Sequence, residues 1–469
     1  MNHDLKTTWA NKLAFFLLVA LTIFTALAYG AVHQPIIALV YIFTVIMMLL
    51  WSYDAFTGGV LRINKSLLQI PLYALFIYGM IQIIPFGSLE SAGLSQIPRT
   101  ISLEPFWTKL TSFHILALGF IFSGFLIFLD SAKRLRKIAV IITIFGFIYA
   151  FYAILQSVLS PNKIYGIYET PFAVPFGSFV NRHNFAAYLE MLIAIPLGLV
   201  FAGAIPKDKR LLYFTAIGLM GIALLLSGSR GGLVAFLAEI FLLAILTTNT
   251  RSYGQIVLKI GLAVLLIVVI IGGSIFIGGE SSLTRFADTA NSKDVTTNRT
   301  HIWSVTLDVI KENPIFGAGI GAFDVAYAKH DTFNGVERVE QAHNDYLQVL
   351  ADAGIVGLII GVFFLFQLFQ TGRKSVQTQN LFRRGIAVGA LAGCFAILVH
   401  SIFDFVLHTT AISIMFIFLL ALLVRSGDSF PDDIEERIER HKTRKKFRSA
   451  NVTPIEKGRK SSEKQIEAN

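Results

Sequence analysis

The feature that most constrains this chain is a succession of apolar runs, each near the length a helix needs to cross a lipid bilayer. They are Leu13–Tyr29, Pro35–Trp51, Leu67–Phe86, Leu110–Leu129, Ile138–Leu159, Phe185–Ile205, Leu211–Leu226, Leu233–Leu246, Val257–Ile277, Val349–Phe369, Ile386–Phe405 and Ala411–Val424. A crossing helix needs roughly 20 predominantly apolar residues. The series therefore predicts an all-α polytopic membrane protein with about 12 transmembrane helices, the runs around Leu211 and Leu233 being the shortest. Composition agrees. Charged residues make up 15% of the chain, against about 25% in ordinary soluble proteins.

Between the ninth and tenth runs lies a long polar insert, Glu280–Gln348, which must sit outside the bilayer. The chain thus divides into spans one to nine (1–279), the insert with its short helices (280–348), spans ten to twelve (349–425) and a charged tail (426–469). Basic residues fall in alternate connectors: Lys6 and Lys12, Arg62 and Lys65, Lys133 to Lys137, Lys207 to Arg210, Arg251, Arg373 to Arg384, and Lys442 to Arg448 in the tail. With twelve spans all of these share one face, so the positive-inside bias places both termini in the cytoplasm and the insert outside it. Lys12, the apolar stretch after it and Ala26-Leu27-Ala28 resemble a signal peptide. An uncleaved first span is the expectation, and cleavage would leave the sidedness of the rest unchanged. The tail mixes acidic and basic clusters without apolar periodicity, the signature of disorder or a short helix over Asp432–Arg440.

The net charge of +10 follows from those one-sided connectors rather than from nucleic-acid binding. Cys394 is the only cysteine, which excludes an internal disulfide and a cysteine-based metal site. No internal repeat is evident, which disfavours transporters built from two related halves.

Five polar clusters fall at the outer ends of spans: Asn181-Arg182-His183-Asn184, Ser227-Gly228-Ser229-Arg230-Gly231-Gly232, Asn298-Arg299-Thr300-His301, Gln341-Ala342-His343-Asn344-Asp345, and the trio His400, Asp404 and His408. Arg230 is the sharpest single residue. A cation between two apolar runs is costly, and the glycines and serines beside it let backbone N–H groups approach an anion closely. An interfacial arginine snorkelling to headgroups is the plainer reading. Arg299 starts an amphipathic helix over Ile302–Ile310 that Asn313-Pro314 stops. It is equally a solvated N-terminal charge or a phosphate ligand. His301, two positions on, faces elsewhere and reads as a surface or packing histidine.

Gly317-Ala318-Gly319-Ile320-Gly321 lacks the spacing and the leading strand of a nucleotide loop, and is expected to be a turn that settles the insert against the membrane domain. His343 opens the tenth span. Imidazoles titrate near neutrality, so a histidine there suits proton abstraction from a hydroxyl, with Asn344, Asp345 and Gln348 placed to orient it or the acceptor. A structural histidine is the commoner alternative. His400, Asp404 and His408, at i, i+4, i+8, are expected on one helical face. Hydrogen bonding that ties the eleventh span into the bundle is preferred there over a metal site, because the two histidines would lie about 12 Å apart along the axis.

These segments together resemble the O-antigen ligase-like family of bacterial membrane proteins, which includes O-antigen ligases, some O-antigen polymerases and protein O-oligosaccharyltransferases. The resemblance runs from Asn181 to His408 through Phe179–Ala186, Ser229–Gly232, Asn298-Arg299 with Trp303, Pro314 with Gly317-Ala318-Gly319, Ala342–Gln348 with Gly354–Gly357, and His400–Phe405. The first five spans match only in hydropathy. One departure is Arg182-His183-Asn184, where many members read Arg-Asn-His.

The resemblance implies a metal-independent, cofactor-free inverting glycosyltransferase on the outer face of the bacterial cytoplasmic membrane. Its donor would be a glycan on undecaprenyl diphosphate and its acceptor a hydroxyl, lipid A–core being the leading one. Repeat-unit polymerisation and transfer to protein stay open. By the same resemblance Arg230 and Arg299 engage the diphosphate and His343 is the base, and Arg182 still fits a phosphate contact; Asn344 and Asp345 are expected at the substrate from their place beside His343. The rival class is a glycolipid transporter or flippase, which predicts functional charges near mid-membrane.

Overall fold

The computed structural model describes residues 8–89, 94–170, 173–247, 261, 264, 299–331 and 338–430. The predicted run Val257–Ile277, residues 280–298 and 332–337 of the insert, and the tail beyond 430 lie outside the described residues or nearly so. The helices are α1 (Trp9–Leu27), α2 (Gln34–Gly58), α3 (Ile70–Gln82), α4 (Pro105–Phe128), α5 (Ala132–Leu159), α6 (Arg182–Phe201), α7 (Arg210–Leu226), α8 (Arg230–Thr247), α9 (Arg299–Glu312), α10 (Phe323–Ala328), α11 (Asp345–Ser375), α12 (Leu381–His400) and α13 (Thr410–Ser426).

Among the described residues, nine helices are long and apolar enough to cross a membrane. The segments Leu67–Gln82 and Thr410–Ser426 are apolar but shorter. Apart from Val257–Ile277, every predicted run coincides with one of these helices. The runs at Leu211 and Leu233 qualify because the helices extend them back to Lys207 and Arg230. The expectation of an all-α chain needs one amendment. Two antiparallel hairpins, β1–β2 (Gly87–Leu89 with Leu94–Arg99) and β3–β4 (Lys163–Ile164 with Tyr168–Glu169), stand in the connectors after α3 and α5.

The centre of the bundle is α6, which touches α5, α7, α8, α12 and α13 and is buried along almost its whole length. Its principal partner is α12. A methyl group on Gly198 would strike the backbones of Gly385 and Gly389, and one on Gly385 would lie 2.9 Å from Leu199 Cα. Lipid tails are as apolar as leucine, so small residues that let two backbones close up are what hold such a pair together.

One end of the bundle is tied by ion pairs. Asp130 meets Arg62 and Arg134 at 3.2 Å each, Arg134 donates to Asn11 at 2.6 Å, and Arg425 donates from Nε to Leu129 O at 2.8 Å. Several residues predicted as a positive flank are therefore also fasteners between connectors.

At the other end the insert is stitched to the spans. α11 breaks at Gly354 (φ 57°, ψ −148°), a conformation that favours glycine. The groups freed there bond the glycine-rich turn. Ala318 N donates to Ala351 O at 2.8 Å, Gly319 N to Asp352 O at 3.0 Å, and Ile355 N to Pro314 O at 3.0 Å. Gln82, wholly buried at the end of α3, completes the stitch. Its Nε2 donates to Phe316 O and Asp352 O, and its Oε1 accepts from Ile320 N. The predicted role of this turn, seating the insert on the membrane domain, is what these bonds do.

Candidate active site

The site is assembled from the N-termini of α6, α8, α9 and α11 and the turn that follows α12. Each of these helices begins within or beside one of the polar clusters, for a local reason. Asn181 caps α6 by accepting from His183 N at 2.8 Å, and Asn344 caps α11 by accepting from Tyr346 N and Leu347 N at 3.0 Å each. Asparagine at such positions satisfies N–H groups that have no partner inside the helix.

His343 immediately precedes that cap and has φ of +50°. The left-handed region costs a residue with a Cβ roughly 1–2 kcal/mol, so neighbours must enforce it. They do so through Ala342, whose carbonyl accepts from Trp303 Nε1 at 3.1 Å and whose N–H donates to Gln348 Oε1 at 2.8 Å. The imidazole is then fixed by Asp404 Oδ1, 3.2 Å from Nδ1, and by the Phe405 ring edge at 4.7 Å between centroids.

Asp404 is buried, its side chain 5% exposed, and also meets Arg299 Nη2 at 3.2 Å; Arg299 Nη1 donates to Phe403 O. Burial alone would push this carboxyl up. The hydrogen bond from His343 and the charges of Arg299 and His183 outweigh that and hold it well below the usual carboxylate range. An ionised carboxylate only accepts hydrogen bonds, so His343 Nδ1 carries the proton and Nε2 is left as the basic nitrogen of the neutral ring.

Arg182 and Arg230 stand at helix starts beside this group. A Cβ on Gly228 would lie 3.5 Å from Arg182 Nη1. His183 Nδ1 is 3.0 Å from Ser229 Oγ, which joins the start of α6 to the α7–α8 connector. Arg230 is exposed, and its neighbour Gly231 abuts the His400 ring and Phe403 Cβ, the latter 3.2 Å from where a Cβ would stand. The turn that presents Phe403 and Asp404 to Arg299 and His343 therefore also touches the residue next to Arg230.

Other expectations need correction. His400, Asp404 and His408 do not share a helical face, because α12 ends at His400 and the chain turns before a short 3-10 segment at Val406–His408. Their partners differ: Glu190, Arg299 with His343, and Asp345, respectively. Asn344 and Asp345, expected at the substrate, are turned to protein groups. Asn344 donates from Nδ2 to Ile402 O at 2.9 Å, and the buried Asp345 carboxylate accepts from Ser401 Oγ at 2.7 Å, Leu407 N at 3.3 Å and His408 Nδ1 at 3.1 Å. His301 faces away as expected, with Nε2 3.4 Å from Asp331. The glycines at 231 and 232, read as room for an anion, are filled by Glu190 and His400 instead.

The spacing of His400, Asp404 and His408 suggests a helix continued through Phe405, and that gives Asp404 the wrong partners. Two further carboxylates, Glu190 and Glu239, both fully buried within spans, belong to none of the five clusters. A carboxylate inside an apolar run is rare enough to be a signal by itself.

With this geometry in place, comparison with known proteins finds a family match over less than half of the chain. Residues 215–362 match the family model described as O-Antigen ligase. Over that segment the chain is O-antigen ligase-like. The matched stretch takes in Arg230, Arg299 and His343, and is narrower than the span from Asn181 to His408 on which the resemblance was drawn. No curated protein matches the chain. Together with the nine helices among the described residues that are long and apolar enough to cross a membrane, the match indicates a multi-pass membrane protein that is similar to O-antigen ligases over that segment.

Proposed function

We propose that the chain transfers a glycan from undecaprenyl diphosphate to an acceptor hydroxyl at the non-cytoplasmic face of the bacterial inner membrane, with ligation to lipid A–core as the leading subtype. The observation that supports this reading best is the imidazole of His343 sharing Asp404 with Arg299, on a turn whose Phe403 abuts Gly231 beside Arg230. On this reading Arg182, Arg230 and Arg299 make up a cationic cradle, and planar guanidinium forks pair with phosphate oxygens better than ammonium groups do. Arg299 uses two contacts on protein groups and keeps further N–H donors for a ligand.

The proposed step is a direct displacement. The acceptor O–H gives its proton to His343 Nε2 as its oxygen attacks the anomeric carbon. The bond from that carbon to the diphosphate oxygen breaks, and the electron pair leaves with the diphosphate. Asp404 stabilises the imidazolium that forms, and the arginines stabilise the charge that develops on the leaving group without a metal. A single in-line displacement inverts the anomeric centre.

Purified protein in lipid nanodiscs, supplied with a lipid-diphosphate-linked glycan and a hydroxyl acceptor, tests this. His343→Ala should cripple transfer while retaining donor binding; unchanged turnover would remove His343 as the base. Product analysis in a deletion strain identifies the acceptor. Unattached polymer on the lipid carrier indicates a ligase, single-repeat products a polymerase, and an unglycosylated protein an oligosaccharyltransferase.

One observation favours the transport rival. Glu239 lies roughly 13 Å along α8 from Arg230, near mid-membrane, and Glu190 is also buried within a span. The transfer reading is preferred because those carboxylates face protein, whereas the candidate donor ligands gather at one end. Wild-type protein that moves labelled glycolipid across a vesicle bilayer without forming a glycoside would reverse that preference.

A further inference from the structure

Glu190 in α6 and His400 at the end of α12 are both wholly buried and lie beneath the site, and no step above uses them. His400 Nδ1 is 3.1 and 3.3 Å from the two carboxylate oxygens of Glu190. A buried ionisable pair between membrane helices is costly, so such a pair is a functional candidate by default. What surrounds it says which function.

On one side it supports the start of α8. A Cβ on Gly232 would lie 2.9 Å from Glu190 Oε1, and one on Gly231 would lie 3.0–3.1 Å from the His400 ring. The two glycines after Arg230 exist where this pair fills the space of side chains. On the other side it supports the turn after α12. The His400 carbonyl accepts from Phe403 N at 2.8 Å and Asp404 N at 3.1 Å. Phe403 and Asp404 are the groups that hold Arg299 and His343. The pair thus touches both halves of the site and neither half of the chemistry.

We propose that the Glu190–His400 pair is a positioning device, setting the α8 start with Arg230 against the turn that presents Phe403 and Asp404. This rests on the transfer reading. It assigns Glu190 and His400 as positioning residues whose loss is felt through Arg230, Arg299 and His343.

The test compares Glu190→Ala and Glu190→Gln in full-length protein in nanodiscs. Glu190→Ala is expected to lower kcat at least tenfold. Glu190→Gln, which keeps an acceptor for His400, is expected to stay within threefold of wild type. Combined with Arg230→Lys, the Glu190→Ala loss should be strongly less than multiplicative, because both act through one residue. A purely structural role would multiply fully, and that outcome, or Glu190→Ala activity within twofold of wild type, overturns the proposal. Should Glu190→Ala fail to fold, Gly231→Ala presses on His400 from the opposite side and is expected to give the same tenfold loss; normal kcat there overturns it equally.

Backbone hydrogen exchange provides an arm independent of turnover. Residues 229–232 and 402–405 should lose protection together in Glu190→Ala, or in Gly231→Ala in its place, and keep it in Glu190→Gln. Unaltered protection rejects positioning even if wild-type protein forms no glycoside, the result that would reject the transfer reading itself.

Discussion

His343 is the residue where local strain and the proposed chemistry coincide. Its left-handed backbone is enforced by Trp303 and Gln348 acting on Ala342, and its ring by Asp404 and Phe405. Asp404→Asn keeps the shape but allows the amide to face Nδ1 with a donor and so favours the wrong tautomer. A fall of about 10²-fold or more in kcat is expected, in line with what general acid–base groups contribute, with donor KM nearly unchanged. Arg230→Lys keeps the charge and loses the fork, and should lose most activity; full activity would exclude bidentate phosphate binding. Acid dependence follows from Asp404. Its carboxyl sits below the ordinary range in the fold, so the docking it contributes is present above about pH 3.9, where free aspartate ionises. That contribution is lost only as pH falls toward the lower folded value. Protease sensitivity of residues 299–331 should therefore stay flat from neutral pH to about pH 4 and rise below it.

The elements most legible in the sequence were the spans, because apolar length is dictated by bilayer thickness and hardly depends on partners. The site was legible in part. Arg230, Arg299 and His343 stood out as polar residues in short clusters flanking apolar runs, and the structure gathers their neighbourhoods at one end. The partner of His343 was not legible, since it depends on α12 stopping at His400, and no glycine or proline marks that stop. The partners of Gln82 and Glu190 are hidden for a related reason. Each is a polar residue in an apolar run, and what its side chain bonds is more than two hundred positions away in sequence. Two predictions belong to this scale. Gly389→Val forces its side chain onto Ala194 at the α6–α12 contact and should destabilise the bundle by about 1–3 kcal/mol, read as a lowered unfolding midpoint in detergent. Gln82→Ala leaves the Phe316 carbonyl to Tyr78 Oη and the Asp352 carbonyl to Gly319 N, and deprives the buried Ile320 N–H of its acceptor. It should loosen the insert by about 1–3 kcal/mol, seen as faster proteolysis of 299–331 with α1–α6 still protected.

At the scale of the whole molecule, the two ends of the bundle do different work. One is closed by ion pairs among Arg62, Asp130 and Arg134 and by the hydrogen bond from Arg134 to Asn11, while the other gathers arginines and a histidine around the insert. That division is consistent with the proposed site at the junction of bilayer and water, where a lipid-borne diphosphate would meet a soluble or headgroup hydroxyl. A charge-stabilised displacement that uses fixed guanidinium groups predicts turnover unaffected by chelators. EDTA-sensitive activity restored by a divalent cation would overturn the metal-free step.

The break in α11 has a bearing on how such proteins can be recombined. The segment headed by His343 is held less by the helix it begins than by a patchwork drawn from Pro314–Ile320, Ala351–Ile355 and Gln82. A loop exchanged between two relatives would arrive without its anchor unless the end of the third helix travelled with it. Chimaeras cut at the edges of the insert should therefore insert in the membrane and stay idle. Those that also carry over Gln82 and its surroundings should regain turnover.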